Sequence, residues 1–304
     1  MNGATRKILV HGLAAVALAS AAPLLGQGQA SQALFPSAFV VERSLRELGP
    51  GDTVEHQTAP VTEYYGESYL VAVRQGDDRT IVDFARREIT EVQISKGTYW
   101  VLSFSRMREL RERLARAEAP RDAAPKSATT PAVTKETAVI KVEEVKDGPK
   151  VPGRQVTSTS SSSSSTGLRH LRAFVEGGPD SVDVWHDGSI VIGLKGREAL
   201  RAFESEALGD LVPRAGRASL ADLMAAAREQ AGGAVPVITR RPLLDRDGRD
   251  TGRVMEQIGT RLASLPAFPK KLLLLPETLK RVPSPLETLV SFAEDEAALV
   301  SKGR

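Results

Sequence analysis

The stretch Arg79–Phe104, RTIVDFARREITEVQISKGTYWVLSF, carries the clearest fold signal in the 304-residue chain. It contains three short β-prone runs, Arg79–Phe84, Glu88–Ile94 and Thr98–Phe104, separated by charged residues and glycine. A further apolar run, Tyr69–Val73, precedes it. Strands of this length joined by polar turns are typical of an antiparallel meander.

A helix is predicted directly after the meander, from Arg106 to about Glu118. Met107, Leu110 and Leu114 lie at positions i, i+3 and i+7 of this segment, which predicts one apolar stripe facing the sheet. Ser105 is the expected N-cap, because a serine hydroxyl accepts a hydrogen bond from the first free amides of a helix.

Order is predicted to return after residue 167. Leu171–Val175 and Ser181–His186 are expected strands, and Asp187-Gly188 is expected to turn the chain into a return strand through Ile190. Two helices follow, at about 196–208 and from Ser219, the second with Asp222 in a capping-box position. The sequence also predicts a strand pair, Val235–Arg240 and Gly252–Leu262, with helix as the alternative for the second member. It further predicts an edge strand Leu272–Leu275 and a terminal helix Leu286–Val300 with Leu289, Phe292 and Ala293 inward.

The N-terminal segment predicts export. Arg6 and Lys7 precede the apolar run Ile8–Leu25, and small residues follow, the order of a secretory signal peptide. An uncleaved membrane anchor is the alternative, but the run is rich in Ala and Gly and carries His11 and Pro23. We therefore expect a periplasmic or extracellular protein with no stable membrane span after cleavage.

Composition marks the remaining parts of the chain. Residues 34–60 are interpreted as a lead-in, with a helical turn at Ser44–Leu48. Residues 157–166 are all Ser or Thr, and such a tract cannot form a core. The predicted parts are a signal peptide (1–33), the lead-in (34–60), a first β-rich part with a helix (61–116), a mostly flexible Pro/Ala/Thr/Ser-rich insertion with a strand at 138–145 (117–167), a second β-rich part with two helices (168–285) and a C-terminal helix (286–304).

Charge and cysteine content exclude several function classes. The formal net charge is +3, from 41 Lys and Arg against 38 Asp and Glu, and falls to +1 when the two basic residues of 1–33 are removed. A nearly neutral protein gives no electrostatic reason to expect nucleic acid as a partner. The sequence has no cysteine, which excludes a disulfide framework, a thiolate metal site, a cysteine nucleophile and a lipid-modified cysteine.

Several short elements together resemble the domain-of-unknown-function 4412 family of exported bacterial proteins. The elements are Ile81 and Asp83 of one strand; Lys96, Thr98 and Tyr99 in a "KTY" strand that Gly97 interrupts; Ile140–Glu143 with Gly153; Val184-Trp185; and Leu275–Glu277 with Lys280–Val282. The resemblance covers roughly residues 60–115, 138–208 and 235–285. It implies an α+β fold in which a curved antiparallel sheet forms an incomplete barrel, similar to lipoprotein carriers, with helices packed on the concave side. It supplies no catalytic residue.

Without this resemblance, the sequence equally allows two separate β-rich domains.

Four aromatic residues are the candidates for a ligand groove: Tyr99, Trp100, Phe104 and Trp185. Aromatic side chains of this kind form cores and also line apolar pockets. The expected ligand is a lipid or another apolar small molecule.

No catalytic or metal-binding residue is assigned. Asp183, His186 and Asp187 look like a cluster, but Asp183 and His186 alternate to opposite faces of a strand. Asp245, Asp247 and Asp250 do not match an EF-hand loop, because Gly248 stands at the fourth position. A serine-hydrolase elbow and a phosphate-binding glycine loop are both missing from the sequence.

The sequence therefore predicts a non-enzymatic exported protein without a cofactor that binds an apolar or lipid-like ligand in a half-barrel groove. One alternative is a cell-envelope scaffold that meets a partner protein through the flexible insertion. The other is a hydrolase with no recognisable motif.

Overall fold

A computed structural model describes residues 33–118, 139–146, 168–207, 218–245 and 249–302. The predicted signal peptide, the serine tract and most of the predicted insertion lie outside these residues. None of the helices in the described part of the chain has the length and apolar character of a membrane-spanning helix.

Within the described residues, thirteen strands form one sheet. They are β1 (Phe35–Leu48), β2 (Val54–Gln57), β3 (Val61–Glu67), β4 (Tyr69–Val73), β5 (Arg79–Asp83), β6 (Glu88–Gln93), β7 (Thr98–Ser103), β8 (Ile140–Glu144), β9 (Arg169–Val175), β10 (Ser181–Val191), β11 (Ala234–Leu244), β12 (Asp250–Ser264) and β13 (Lys280–Arg281). Their order is β13-β7-β6-β5-β4-β3-β1-β12-β11-β10-β9-β8, with β2 paired to β1. Only the β13–β7 pair among them is parallel. Over the described residues the sheet is open, because β13 and β8 are its two ends.

The central strand β1 joins the two halves of the sheet. It pairs with β3 on one side and with β12 on the other. The predicted helical turn at Ser44–Leu48 is wrong, because these residues lie in β1 and pair with β12. Partner strands supply every ladder hydrogen bond there, and this outweighs a weak local helical pattern. The segment interpreted as a lead-in thus contains β1 and β2.

Buried Arg43 connects β1 to its neighbour β3 and, beyond β12, to β11. Its Nε donates to Glu63 Oε2 on β3 at 2.8 Å, and its Nη1 donates to the carbonyl of Pro236 on β11 at 2.8 Å. The Tyr65 hydroxyl donates to the same Glu63 oxygen at 2.8 Å. Burial lowers the pKa of Arg43, but Glu63 and Tyr65 more than offset this and leave it raised.

The predicted meander is confirmed. β4, β5, β6 and β7 pair in sequence order, each antiparallel to the next. Gly97 ends a short 3-10 helix, Ile94–Lys96, with φ of 63°, and its N–H donates to the Ile94 carbonyl at 3.1 Å. The backbone must adopt the left-handed conformation at this position, and glycine does so without strain.

Four helices are described: α1 (Phe104–Glu118), α2 (Leu194–Ala207), α3 (Leu220–Gln230) and α4 (Pro285–Lys302). They contact one another in the order α4–α1–α2–α3. The predicted stripe Met107, Leu110 and Leu114 of α1 is buried in the main core. Ser219 caps α3 as predicted, accepting from the Asp222 amide at 3.1 Å. The cap of α1 is Ser103 instead of Ser105, because its Oγ accepts from the Arg106 amide at 3.2 Å.

Helices cover one face of the sheet, and the segment after β12 covers part of the other. On the helix face, α1, α2 and α4 pack against Phe39, Val82 and Trp100, and α3 packs against β8–β10. On the outer face, Phe268 and Leu272 of the segment after β12 cover Val71 and other residues of β3–β6. The outer face of β8–β12 carries none of the described helices.

Asp187-Gly188 does not turn the chain, so the predicted hairpin is wrong. β10 runs on through these residues to Val191. Asp187 pairs with Val235 and Val191 with Ala234, so Gly188-Ser189-Ile190 form a bulge of β10 against β11. The expected hairpin turn requires positive φ at both central residues, and neither Asp187 nor Gly188 has it. The Asp187 carboxylate instead accepts from the Ser189 amide at 2.8 Å.

Two further predictions near the C-terminus are wrong. Leu272–Leu275 is no edge strand: Lys270–Leu273 is a 3-10 turn whose leucines cover the outer face, and the edge strand is Lys280–Arg281. Phe292 points outward and is 69% exposed, because Leu286 and Val290 form the buried stripe of α4. β12 is a strand, as predicted.

Phe39 tests the central position of β1. Its ring is 2% exposed and stacks on Tyr65 with centroids 4.5 Å apart. Phe39→Ala is expected to lower the free energy of unfolding by about 3–5 kcal/mol, as for other buried phenylalanines. Urea denaturation followed by circular dichroism measures this. The matched control, Phe292→Ala, should change it by less than about 0.5 kcal/mol because Phe292 is exposed. Equal effects of the two variants would contradict the fold.

His186 makes stability depend on pH. It is 1% exposed, and burial, with the Arg228 and Arg169 cations, lowers its pKa from 6.5 to about 4. Between those values the unfolded chain binds a proton that the folded chain does not, so stability falls as the pH falls through this window. His186→Gln should remove up to about 3 kcal/mol of the difference in unfolding free energy between pH 7 and pH 4.

The control for this measurement is His56→Gln at an exposed position. Urea denaturation at both pH values should show the wild-type difference for this variant and a smaller one for His186→Gln. An unchanged difference in His186→Gln would show that His186 titrates normally.

Candidate functional site

A row of six charged residues crosses the outer face of the sheet. Cross-strand register places each directly opposite the next, and their charges alternate. The row, termed the charge ladder below, consists of Arg46 on β1, Glu256 on β12, Arg240 on β11, Asp183 on β10, Arg172 on β9 and Glu143 on β8. Opposite charges in directly opposed positions stabilise a sheet by about 0.2–1 kcal/mol per pair.

One half of the charge ladder centres on a buried carboxylate. Glu256 is 2% exposed and accepts from Arg240 Nε at 2.7 Å, with Arg46 Nη1 3.7 Å away. Burial lowers the pKa of Arg240, but the hydrogen bond to Glu256 and the charges of Glu256 and Asp52 outweigh it and leave the pKa raised. A carboxylate this buried is tolerated only when cations accompany it.

The other half centres on Asp183. Arg172 donates to it from Nε and Nη2, both at 3.0 Å, and His170 Nε2 lies 2.9 Å from Oδ1. This hydrogen bonding, together with the charge of Asp183, raises the pKa of Arg172. The other ring nitrogen of His170, Nδ1, is buried without a hydrogen-bond partner.

His170 is held in place by Trp185. The two rings stack with centroids 4.0 Å apart and planes inclined by 10°. They face each other because their residues are cross-strand partners on β9 and β10. Asp183 and the indole thus fix the imidazole from two directions.

A cavity of about 540 Å³ lies over this part of the charge ladder. Its lining combines four apolar residues, Phe174, Trp185, Pro242 and Val254, with ladder members and three other ionisable residues, His170, Arg241 and Asp250. A second cavity of about 380 Å³ lies next to the first, and both are lined by His170 and Trp185. The stacked pair therefore forms a wall between two neighbouring spaces.

A further space, a cleft of about 580 Å³, lies between α1, α4 and β13. Two of its arginines are already paired: Arg113 donates to Glu294 at 2.9 and 2.7 Å, and Arg106 to Glu109 at 2.7 Å. No aromatic side chain appears among its described lining residues. The outer-face cavity, with two aromatic residues and a held histidine, is the better candidate site.

The structure separates the four predicted groove residues. Trp185 lines both outer-face cavities. Trp100 and Phe104 are buried in the core beneath α1 and α2. Tyr99 is half-buried and alternates to the opposite face of β7 from Trp100.

Two kinds of site were tested in the described part of the chain, a metal site and a serine–histidine pair. Asp183 and His186 point to opposite faces, as the alternation predicted, and no group of three His, Asp or Glu residues there is placed to hold a metal ion. Ser181 also lines the cavity but lies opposite Phe174, four residues from His170 along β9. At about 3.3 Å per residue this separates the two backbones by about 13 Å, too far for a serine–histidine pair.

Asp245 and Asp250 of the acidic loop are described, and both serve the β11–β12 turn. Asp245 Oδ1 accepts from the Arg249 amide at 2.9 Å, and Asp250 Oδ1 from the Gly252 amide at 2.8 Å. Asp247 lies outside the described residues. These two carboxylates therefore stabilise a turn.

Sequence reasoning missed His170 and Arg172. Their partners become visible only when the turn between β9 and β10 is placed at residues 176–180, which sets Arg172 opposite Asp183 and His170 opposite Trp185. The alternating patterns His-Leu-Arg and Asp-Val-Trp carry that signal. The predicted strand began at Leu171 and so left out His170, and its pairing with Ser181–His186 was not predicted.

Comparison with known proteins identifies no family. No protein-family model matches the chain, and no curated protein matches it. One similar solved structure is an uncharacterized conserved protein from Thermus thermophilus, with 8% identity, a TM-score of 0.36 and coverage of 81% of this chain and 90% of that one. Another is PNGF-II, with 6% identity, a TM-score of 0.34 and coverage of 84% of this chain but 34% of that one.

Proposed function

We propose that this protein binds an amphipathic, lipid-like small molecule in the outer-face cavity and performs no catalysis. The observation that carries the proposal is the lining of the cavity. Apolar side chains and a fixed row of charges lie side by side there, and binding sites for amphipathic ligands need both.

Cross-strand register explains this lining. On one side of the charge ladder, His170, Trp185 and Ile238 are successive partners across β9, β10 and β11. On the other side lie Phe174 and the partners Pro242 and Val254. A ligand lying across the strands meets an apolar strip next to a charged one. This arrangement supports contact with a tail and a headgroup at once.

The filled helix face also favours a site on the outer face. The sequence predicted a groove on the concave side, beside the helices. Trp100, Phe104 and Phe203 instead pack together there in the main core. In our proposal the helices occupy the concave side of the half-barrel, and the ligand binds on the opposite face of β8–β12.

The proposal includes export, which the signal-like order of residues 1–33 supports. We infer that the ligand is a membrane lipid or its derivative. Nothing in this role requires a cofactor or nucleic acid.

A cell-envelope partner protein is the second candidate, favoured by Phe292. This ring is 69% exposed on α4, next to Ser291, which lines the cleft between α1 and α4. Exposed aromatic side chains are enriched at protein interfaces. A scaffold would bind its partner through α4 and leave the outer-face cavity unused.

Phe174→Ala distinguishes these two functions. Loss of its apolar contact should weaken binding of a fluorescent acyl probe about tenfold, measured by titration of the purified protein. Phe292→Ala is the matched control and should bind like the wild type. Native mass spectrometry should also detect a copurifying amphiphile. A wild-type protein that takes up neither the probe nor any amphiphile would overturn the proposed function.

A further inference from the structure

We propose that the headgroup of the ligand is a zwitterion, with its cationic group at Asp183 and its anionic group at Arg240. This inference rests on the proposed function and deepens it. It starts from the charge balance of the cavity. Three arginines and three acidic residues line the cavity, so the formal charge of the lining is zero. They are Arg172, Arg240 and Arg241, and Glu143, Asp183 and Asp250.

The charge ladder has a break in the middle of the cavity. Asp183 and Arg240 are direct cross-strand partners, yet each turns to other residues. Asp183 bonds to Arg172 and His170, and Arg240 bonds to Glu256. An anion and a cation therefore lie side by side in the cavity floor without neutralising each other by a direct ion pair.

Both groups keep unused hydrogen-bonding capacity. Asp183 Oδ2 accepts only from Arg172 Nη2, so it has a lone pair for a further donor. Arg240 uses Nε for Glu256, and its Nη1 makes only a 3.4 Å contact with Asp52. A ligand ammonium fits the first group, and a phosphate or carboxylate fits the second.

Asp183 and Arg240 start from neighbouring backbone positions. Directly opposite residues of an antiparallel pair have Cβ atoms about 4.5–5.5 Å apart, and from there the two charged groups point away from each other, towards Arg172 and Glu256. A cationic and an anionic group joined by a short carbon spacer, as in phosphoethanolamine, reach both. Phe174 and Val254 beside them receive the acyl chain.

Ligands of a single charge fit this floor less well. A purely anionic headgroup meets the carboxylates of Asp183 and Glu143, and a purely cationic one meets the guanidinium groups of Arg240 and Arg172. Placing like charges together opposes binding. The arrangement therefore selects a zwitterion against both alternatives.

The test compares three single-chain amphiphiles of equal acyl length, each below its micelle concentration: lysophosphatidylethanolamine, lysophosphatidylglycerol and an alkyl ammonium. Isothermal titration of the full chain should show the zwitterion binding about tenfold more tightly than either of the others. Soluble phosphoethanolamine, which lacks the chain, should bind much more weakly than the lysolipid.

Two variants test the roles of the charges. Asp183→Asn should shift the preference towards the anionic lysolipid, and Arg240→Gln should shift it towards the alkyl ammonium. The control Arg106→Gln lies on α1 and should keep the wild-type order. Circular dichroism shows whether each variant folds, and Arg240→Gln keeps the proposal testable if Asp183→Asn does not.

The outcomes separate the two proposals. Equal affinity for all three amphiphiles, or an order that neither variant changes, would overturn the zwitterion assignment and leave the proposed function standing. Phosphoethanolamine binding as tightly as its lysolipid would overturn the lipid-like function while supporting the zwitterion site. Absence of any binding would overturn both.

Discussion

The antiparallel pairing of β1 with β3 and β12 is the constraint on which the rest of the structure depends. It joins the meander of β3–β7 to the strands β8–β12, so that both halves form one sheet. Arg43 adds side-chain bonds to β3 and β11, and the aromatic ring of Phe39 stacks on Tyr65. Because these contacts fix β1, they also fix the register of every strand that follows it across the sheet.

That register creates the candidate site. Each member of the charge ladder comes from a different strand, so the ladder exists only where all six strands are aligned. A slip of one residue in β10 would turn Asp183 towards α3 and Val184 towards the cavity, since side chains alternate along a strand. The helix face is apolar where α3 packs, which disfavours the slip. The same burial that stabilises the fold therefore holds the charges in place.

Local sequence signals predicted the elements that local interactions determine. The alternation in Arg79–Phe104, the stripe of α1 and the serine cap of α3 were sufficient for that purpose. β1 was not predictable in this way, because its strand conformation depends on pairing, and one partner, β12, lies far away in the chain. His170 and Arg172 escaped notice for a related reason: they meet Asp183 only through the register of the hairpin. Phe292 had the spacing of a core residue, but α4 packs with Leu286 and Val290 towards the core and leaves Phe292 exposed.

The protein's two tryptophans allow the most direct measurement of the central claim, that the ligand binds on the outer face beside Trp185. Trp185 lines the cavity, whereas Trp100 is buried beneath the helices. In a Trp100→Phe variant, lysophosphatidylethanolamine should change the fluorescence emission of the remaining Trp185. In a Trp185→Phe variant, the emission of Trp100 should stay constant. A change carried by Trp100, or none in either variant, would contradict the account.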